Sequence, residues 1–257
     1  MSFQVALGEI IFSCFKKFKT LSRSAFSPNF LISASVGAYF SLSLHIFLTN
    51  LWAKMALTVE AINPATEEPC ATVAVCGPDD VDRAVLAARA AFDGYAAMSL
   101  DERVALVEKL ILILERRYDE MVAAISTEMG APYDLSYNAQ AESGPSHLRA
   151  TIKAAREMAW EYNVGEDGVV VHEPIGVCVL ITPWNWPINQ IVCKVGPALV
   201  AGCTMVLKPS EIAPLSAQLF AECVDEAGFP KGVFNMVHGT GPAIGDALTS
   251  HPEVDMI

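Results

Sequence analysis

The chain has 257 residues, enough for one large domain or two small ones with a substantial core. Its formal net charge is −12 at pH 7. This acidic balance argues against a nucleic-acid partner, because binding a phosphate backbone requires clustered Lys and Arg, and it favours a soluble protein that handles a small metabolite.

The first 54 residues differ in composition from the rest. They carry five Lys or Arg and one acid, a net charge of +4, which leaves −16 for residues 55–257. Residues 24–53 contain no charged side chain. Within them, Phe30 to Trp52 exceeds the roughly 20 apolar residues that can span a bilayer. The basic cluster that precedes this run would keep the N-terminus cytoplasmic.

This N-terminal extension has two interpretations. It is either a membrane anchor through residues 30–52, or a non-native leader upstream of a true start at Met55. We favour the leader, because Met55 directly precedes a well-patterned soluble domain with no linker between them. The protein is then expected in the cytoplasm, and the alternative is a membrane-anchored one.

A hairpin and then helices are predicted after Met55. The segment Thr58–Cys76 contains two β-rich runs separated by turn-forming residues, which predicts the hairpin. Pro78 starts a helix whose apolar face comprises Val81, Val85, Ala88 and Phe92. A capping box at Ser99 starts a longer helix, which is expected to continue to Gly130. A third helical stretch is predicted from about Tyr133 to Tyr162.

The C-terminal part alternates strands with helices. Strands are predicted at Val177–Ile181, Thr204–Lys208 and Val233–Val237, with Val254–Ile257 as the first residues of another. Helices are predicted from Pro187 to Gly202, from Pro214 to Ala227 and from Pro242 to Ser250. This alternation predicts an α/β fold, a Rossmann-like parallel sheet with flanking helices, and such sheets bind ligands at the carboxyl ends of their strands.

The first three of these strands each end at a group of residues that could contact a ligand. The three groups are Thr182-Pro183-Trp184-Asn185, Lys208-Pro209-Ser210-Glu211 and Gly239-Thr240-Gly241-Pro242-Ala243-Ile244-Gly245. The last has one residue more than the GxGxxG fingerprint, so by itself it indicates no more than a glycine-rich helix entry. Lys208 and Glu211 together suit sugar hydroxyls. A carboxylate such as Glu211 also favours NAD over NADP, because it repels the 2′-phosphate.

Metal binding has no support in the sequence. The seven cysteines and five histidines are scattered, without the CxxC or HxxxH spacing of a metal site. We therefore expect reduced, mostly packed thiols and no bound metal.

Six motifs follow one another in residues 55–257. They are INPATEE (Ile62–Glu68), HEPIGV (His172–Val177), ITPWNWP (Ile181–Pro187), KVGPALVAGCTMVLKPSEIAP (Lys194–Pro214), AGFPKGVFNMVHGTG (Ala227–Gly241) and SHPEVDMI (Ser250–Ile257). In this order they resemble the N-terminal portion of the NAD(P)-dependent aldehyde dehydrogenase superfamily. The resemblance covers nearly all of the chain after Met55.

The resemblance implies a fold, a cofactor and partners. The fold is the family's NAD-binding α/β domain, here incomplete, and the partners are a small-molecule aldehyde and other copies of the chain. The region Trp160–Val171 is assigned to subunit association. The cofactor is NAD, with NADP less favoured. The residues implied to bind it are Ile181, Thr182, Pro183 and Trp184 along the cleft, Lys208, Ser210 and Glu211 at the adenosine ribose, and Gly241 and Gly245 where a helix approaches the nucleotide.

Asn185 is given a catalytic role by the resemblance. The corresponding asparagine of the family is the side-chain donor of the oxyanion hole. A cysteine thiolate attacks the aldehyde, and the resulting negative oxygen must be stabilised before hydride leaves for the nicotinamide. A neutral, fixed N–H group does this without being deprotonated. The alternative is that Asn185 caps the helix that begins near Pro187.

One departure from the family concerns the chemistry itself. The family's nucleophilic cysteine and general-base glutamate lie beyond the segment that resembles SHPEVDMI, where this chain stops. Cys178, Cys193 and Cys203 fit packing positions, and none has the sequence context of the nucleophile. We therefore expect a chain that lacks both groups. The alternative is a non-catalytic truncated subunit that acts only through nucleotide binding or association. Only Trp186 and its neighbours lie near the aldehyde pocket, so the aldehyde is not identified.

Overall fold

The computed structural model describes residues 58–257. The candidate membrane span at 30–52 and the proposed start at Met55 lie outside the described residues, so both stay predictions. Every helix within 58–257 is too short or too polar to cross a bilayer.

The described part opens with the predicted hairpin. Strand β1 (Thr58–Asn63) pairs antiparallel with β2 (Glu68–Ala74). The turn between them is closed by a hydrogen bond from the Glu67 amide to the Asn63 carbonyl, 2.8 Å long. The hairpin prediction is therefore confirmed.

Two helices follow in the predicted places. Helix α1 (Pro78–Ala96) buries Val81, Val85 and Ala88, and its fourth predicted core residue, Phe92, is only half-buried. The Arg89 guanidinium lies 5.8 Å from the centre of the Phe92 ring. Helix α2 (Leu100–Arg116) starts with the predicted capping box at Ser99.

The prediction of a single long helix up to Gly130 is wrong. It breaks at Arg117, whose backbone leaves the helical region (φ −97°, ψ 23°), and helix α3 (Tyr118–Met129) follows. The Arg117 guanidinium binds Glu120 at 2.7 Å and Glu222, on a later helix, at 2.9 Å. An apolar stripe does not reveal such a break, because its spacing hardly changes across one non-helical residue.

The helix predicted for 133–162 is shorter and less regular than expected. A turn of α-helix at Tyr133–Leu135 passes into a π-helical turn at Ser136–Gln140, and α4 spans Ser143–Glu157. Tyr162 lies instead in strand β3 (Glu161–Val164), which pairs antiparallel with β4 (Gly168–Val171). Tyr and Val suit a strand better than a helix end. This hairpin occupies the region predicted to join subunits, and that role stays a prediction.

The C-terminal part forms the predicted parallel sheet. Strands β5 (Val177–Ile181), β6 (Thr204–Lys208) and β7 (Phe234–Met236) pair in that order. The connecting helices are α5 (Pro187–Ala201), α6 (Pro214–Ala227) and α7 (Gly241–Thr249). Strand β7 is shorter than predicted, and the fourth strand expected from Val254 is reduced to one parallel bridge between Cys178 and Met256.

That bridge fixes where the strand order reverses. β5 has β6 on one side and Met256 on the other, so the chain turns back at β5 after moving outward to β7. Ligands of open α/β sheets bind at the carboxyl end of the strands at such a switch point. The residues after Ile181 therefore lie where a ligand is expected.

The sheet is buried on both faces by two separate clusters. Cys178, Leu180, Met205 and Leu207 face a large cluster built mainly by α2 to α6. The alternate side chains face a smaller cluster on α1 and α7, which includes Val177, Val179, Val206 and Val237. Helices thus cover both faces, as the continuous apolar runs predicted.

Gly176 gives a stability test of the switch point. Its φ is +129°, and a Cβ there would lie 1.9 Å from Asp255 Oδ2, which accepts a 2.7 Å bond from the Val177 amide. Gly176→Ala should lower the free energy of unfolding by about 3 kcal/mol, from backbone strain and the displaced carboxylate together. Denaturant unfolding followed by circular dichroism measures this.

The matched control for Gly176→Ala is Gly228→Ala. Gly228 also has a positive φ, +82°, but an added Cβ would meet nothing within 4 Å. Its replacement should cost only the conformational term, about 1 kcal/mol. Equal losses in the two variants would show that the Asp255 contact does not matter.

Candidate functional site

The carboxyl ends of the three parallel strands lie side by side. Ile181 is in register with Lys208, and the Thr182 amide donates a 3.2 Å hydrogen bond to the Lys208 carbonyl. On the other side of β6, the Val237 amide donates to the Leu207 carbonyl at 3.0 Å. The structure therefore brings together the three groups of residues that the sequence singled out.

An ion pair between a buried lysine and a partly exposed glutamate lies at the end of β6. Lys208 is only 4% exposed, and its Nζ lies 3.4 Å from Glu211 Oε2 and 3.3 Å from the Pro209 carbonyl oxygen. The Glu211 side chain is about one-third exposed at 33%. A buried ammonium requires such a partner. Glu211 is thus held at the edge of the sheet with part of its carboxylate open to a ligand.

Ser210 is used inside its own loop. Its Oγ accepts a 3.2 Å hydrogen bond from the Ile212 amide, and its carbonyl accepts one from the Ala213 amide, also 3.2 Å long. These bonds define a tight turn between β6 and α6. Contact between Ser210 and a cofactor stays a prediction.

His238, after β7, was not singled out from the sequence. Both its ring nitrogens are buried and have no hydrogen-bond partner within residues 58–257. Burial and the nearby Lys208 charge lower the pKa of His238 to about 4, so the ring is neutral at pH 7. Its position directly after a parallel strand is the signal that could have identified it.

The N-terminus of α7 faces open space. Its N-cap, Thr240, makes no side-chain capping bond, and a Cβ added at Gly241 or Gly245 would meet no atom within 4 Å. Gly239 differs, because a Cβ there would lie 2.7 Å from Ile244. Pro242 has no amide hydrogen, and the Ala243 amide donates to the Thr240 carbonyl at 3.1 Å, so this helix start offers an anionic group such as a phosphate the Gly241 amide and the positive end of the helix dipole.

Asn185 does not cap α5. The N-cap of that helix is Trp186 (φ −144°, ψ 72°), with no side-chain capping bond. Asn185 itself is exposed, and its amide makes no hydrogen bond within the part of the chain that the structure describes. The capping alternative is therefore wrong. The neighbouring Thr182 is buried, whereas Trp184 is exposed.

Three of the six cysteines in residues 58–257, Cys178, Cys203 and Cys223, are buried, and Cys70 and Cys76 are partly buried. A hydrogen bond with Cys203, together with burial, raises the pKa of Cys178, and burial raises the pKa of Cys223 to about 11. Cys193 is exposed on α5, where its Sγ lies 3.8 Å from Asn189 Oδ1. Residues 58–257 contain no group of His, Cys, Asp and Glu that could hold a metal ion.

Comparison with known proteins gives one consistent result. Residues 52–257 match the aldehyde dehydrogenase family. A curated relative, 3-succinoylsemialdehyde-pyridine dehydrogenase of a Pseudomonas species, is 50% identical over 214 residues, which is 82% of this chain and 45% of that protein.

Solved structures agree with the sequence comparison. An aldehyde dehydrogenase from Bartonella henselae is 48% identical with a TM-score of 0.77, over 79% of this chain and 43% of that one. A mutant of AldC from Pseudomonas syringae, in complex with NAD⁺ and octanal, is 46% identical with a TM-score of 0.76, over 78% of this chain and 41% of that one. The chain thus spans less than half the length of the proteins that it matches.

The free amide of Asn185 leads to a prediction about stability. Asn185→Ala should leave the free energy of unfolding within about 0.5 kcal/mol of wild type, because no internal hydrogen bond is lost. Asn235→Ala is the control, since the Asn235 amide donates to the Met205 and Gly232 carbonyls at 3.1 and 2.8 Å. It should cost about 1–3 kcal/mol. A comparable loss in Asn185→Ala, measured by denaturant unfolding, would mean that Asn185 has a structural role.

Proposed function

The chain belongs to the aldehyde dehydrogenase family, and on that premise we propose that it serves the oxidation of a small-molecule aldehyde to a carboxylic acid with NAD as acceptor. The observation that carries the proposal is the exposed amide of Asn185. It lies just after strand β5, at the same sheet edge as Lys208 and Glu211, and has no structural partner within residues 58–257.

The described residues fit a dinucleotide. NAD, when bound, accepts a hydride from the substrate. Its adenosine ribose would be held by Lys208 and Glu211, which offer a donor and an acceptor at the end of β6. Its pyrophosphate would meet the open N-terminus of α7, at Gly241 and Gly245. The segment Ile181–Trp184 would form the wall of the cleft.

Asn185 would act on the aldehyde oxygen. When a thiolate adds to the aldehyde carbon, the carbonyl oxygen becomes negative, and the amide N–H of Asn185 would stabilise that charge. We place neither the nucleophile nor the general base within residues 58–257. Cys178, Cys203 and Cys223 are buried, and exposed Cys193 contacts only the Asn189 amide oxygen.

Association of subunits would use the β3–β4 hairpin. Its side chains Val164, Val169 and Val171 are each more than half exposed, at 53%, 55% and 54%. Val169 and Val171 lie on one face of the hairpin and Val164 on the other, so each face offers exposed apolar area of the kind that subunits bury. A homo-oligomer that pairs these hairpins is therefore part of the proposal.

Removal of the Asn185 amide should impair the chemistry alone. In a form of the enzyme that includes the nucleophile and the general base, we expect Asn185→Ala to lower kcat for aldehyde oxidation by about 10²–10³-fold. Asn63→Ala, which removes an amide that supports only the β1–β2 turn, is the control and should keep its kcat. NADH formation with a panel of aldehydes gives the rate, and equilibrium binding gives the NAD affinity, which should not change.

The same assay separates the two halves of the proposal. Wild-type protein that binds NAD but forms no NADH with any aldehyde would act only through nucleotide binding or association. Unchanged kcat in Asn185→Ala would remove the oxyanion role from this residue.

Glu211 should set the preference for NAD. Glu211→Gln removes the negative charge that would repel a 2′-phosphate, so the affinity for NADP relative to NAD should rise by about tenfold, or 1.4 kcal/mol. Asp225→Asn, at the opposite end of α6, is the charge-matched control and should leave the ratio unchanged. Titration with both nucleotides measures the two constants. An unaltered ratio in Glu211→Gln would contradict the assignment.

A further inference from the structure

Glu128 is a buried carboxylate with no function assigned to it so far. It is only 1% exposed and lies in the last turn of α3. Its Oε1 accepts a 3.0 Å bond from the Ser216 amide and a second bond from the Ser216 hydroxyl, while Oε2 accepts a bond from the Leu215 amide. Burial raises the pKa of Glu128 to about 7, although these three donors lower it. A charge removed from water in this way requires several partners.

The position of Glu128 in its own helix is unfavourable. A carboxylate near a helix C-terminus is repelled by the negative end of the helix dipole. The compensation comes from α6, because all three donors belong to its first turn. The contact is thus directed at α6, and the stability of α3 alone does not explain it.

Helix α6 depends on this contact for its N-terminal cap. Its N-cap residue, Ala213, has no side chain that could accept a hydrogen bond, and Pro214 has no amide hydrogen. The first free amides are those of Leu215 and Ser216, and Glu128 accepts from both. A glutamate 87 residues away in sequence therefore serves as the helix cap.

The start of α6 also determines the loop that carries Glu211. Only residues 209–213 separate β6 from α6. The β6 end of this loop is fixed by pairing with both neighbouring strands, at Ile181 and at Met236. Its other end is fixed where Glu128 binds the first turn of α6. The position of the Glu211 carboxylate relative to Lys208 follows from these two attachments.

We propose that Glu128 is a positioning residue for the nucleotide site: by capping α6 from α3, it holds the 209–213 loop so that Glu211 meets the adenosine ribose. This inference rests on the proposed function, since it assumes that Lys208 and Glu211 bind the nucleotide. It assigns Glu128 to the adenosine half of the ligand and not to the aldehyde or the nicotinamide.

The test measures how tightly the whole protein binds each half of the dinucleotide separately. Glu128→Gln keeps the size of the side chain, but its NH₂ group must face one of the two amide donors, so the cap is lost on one side. We expect the Kd for AMP to rise about tenfold, a loss of about 1.4 kcal/mol, and that for nicotinamide mononucleotide to stay the same. In assays of an enzyme form that includes the nucleophile and the general base, the KM for NAD should rise while kcat is unchanged. Amide hydrogen exchange should quicken in residues 209–216.

Controls distinguish positioning from general destabilisation. Ile125→Val removes one methyl group from a fully buried side chain of the same helix and should lower stability without changing AMP binding. Ser216→Ala removes one of the three donors and should raise the Kd for AMP about threefold, so this variant carries the test if Glu128→Gln does not fold.

Each result decides between the proposals. If Glu128→Gln and Ser216→Ala bind AMP as tightly as wild type and lose stability as Ile125→Val does, the positioning role is overturned. The proposed function would then still stand. Wild-type protein that binds neither AMP nor NAD would overturn the proposed function, and the positioning role with it.

Discussion

The parallel register of β5 and β6 is the constraint on which the site depends. It places Ile181 opposite Lys208, so that both strands end at the same level. A slip by one residue would turn every side chain of β5 to the other face of the sheet. Val177 and Val179 would then meet the large cluster, Cys178 and Leu180 would meet the small one, and Ile181 would no longer lie opposite Lys208. Burial on both faces excludes that slip, so the apolar core fixes the geometry of the polar edge.

The alternation of elements could be predicted because its causes are local. A continuous apolar run such as Val177–Ile181 specifies a buried strand, and the capping box at Ser99 specifies a helix start, without information from distant residues. The break at Arg117 could not be predicted in this way. It is accompanied by an ion pair to Glu222, 105 residues further along the chain. A periodicity argument contains no signal for such a partner.

The candidate site also contains some residues that the sequence predicts and others that it does not. The grouping of Asn185, Lys208 and Glu211 at the strand ends could be predicted because a parallel sheet brings its strand ends together whatever its details. Glu128 and His238 could not. In the sequence, Glu128 is one polar residue among others on a helix, and only the contact between α3 and α6 gives it a role. His238 is notable only because its neighbours leave both ring nitrogens without a hydrogen bond. Both residues are recognised by their burial and their hydrogen-bonding environment, and the sequence alone gives neither.

The pairing of Lys208 with Glu211 has an electrostatic consequence. The two charges cancel at 3.4 Å, and the neighbouring His238 ring is neutral, so the end of β6 carries no net charge. A phosphate-bearing ligand would be attracted to this sheet edge by the Gly241 amide, the α7 dipole and individual hydrogen bonds, and not by a positive field. Screening by dissolved ions acts mainly on net charge at long range. Recognition at this sheet edge should therefore depend little on ionic strength, unlike phosphate sites built from clustered arginines.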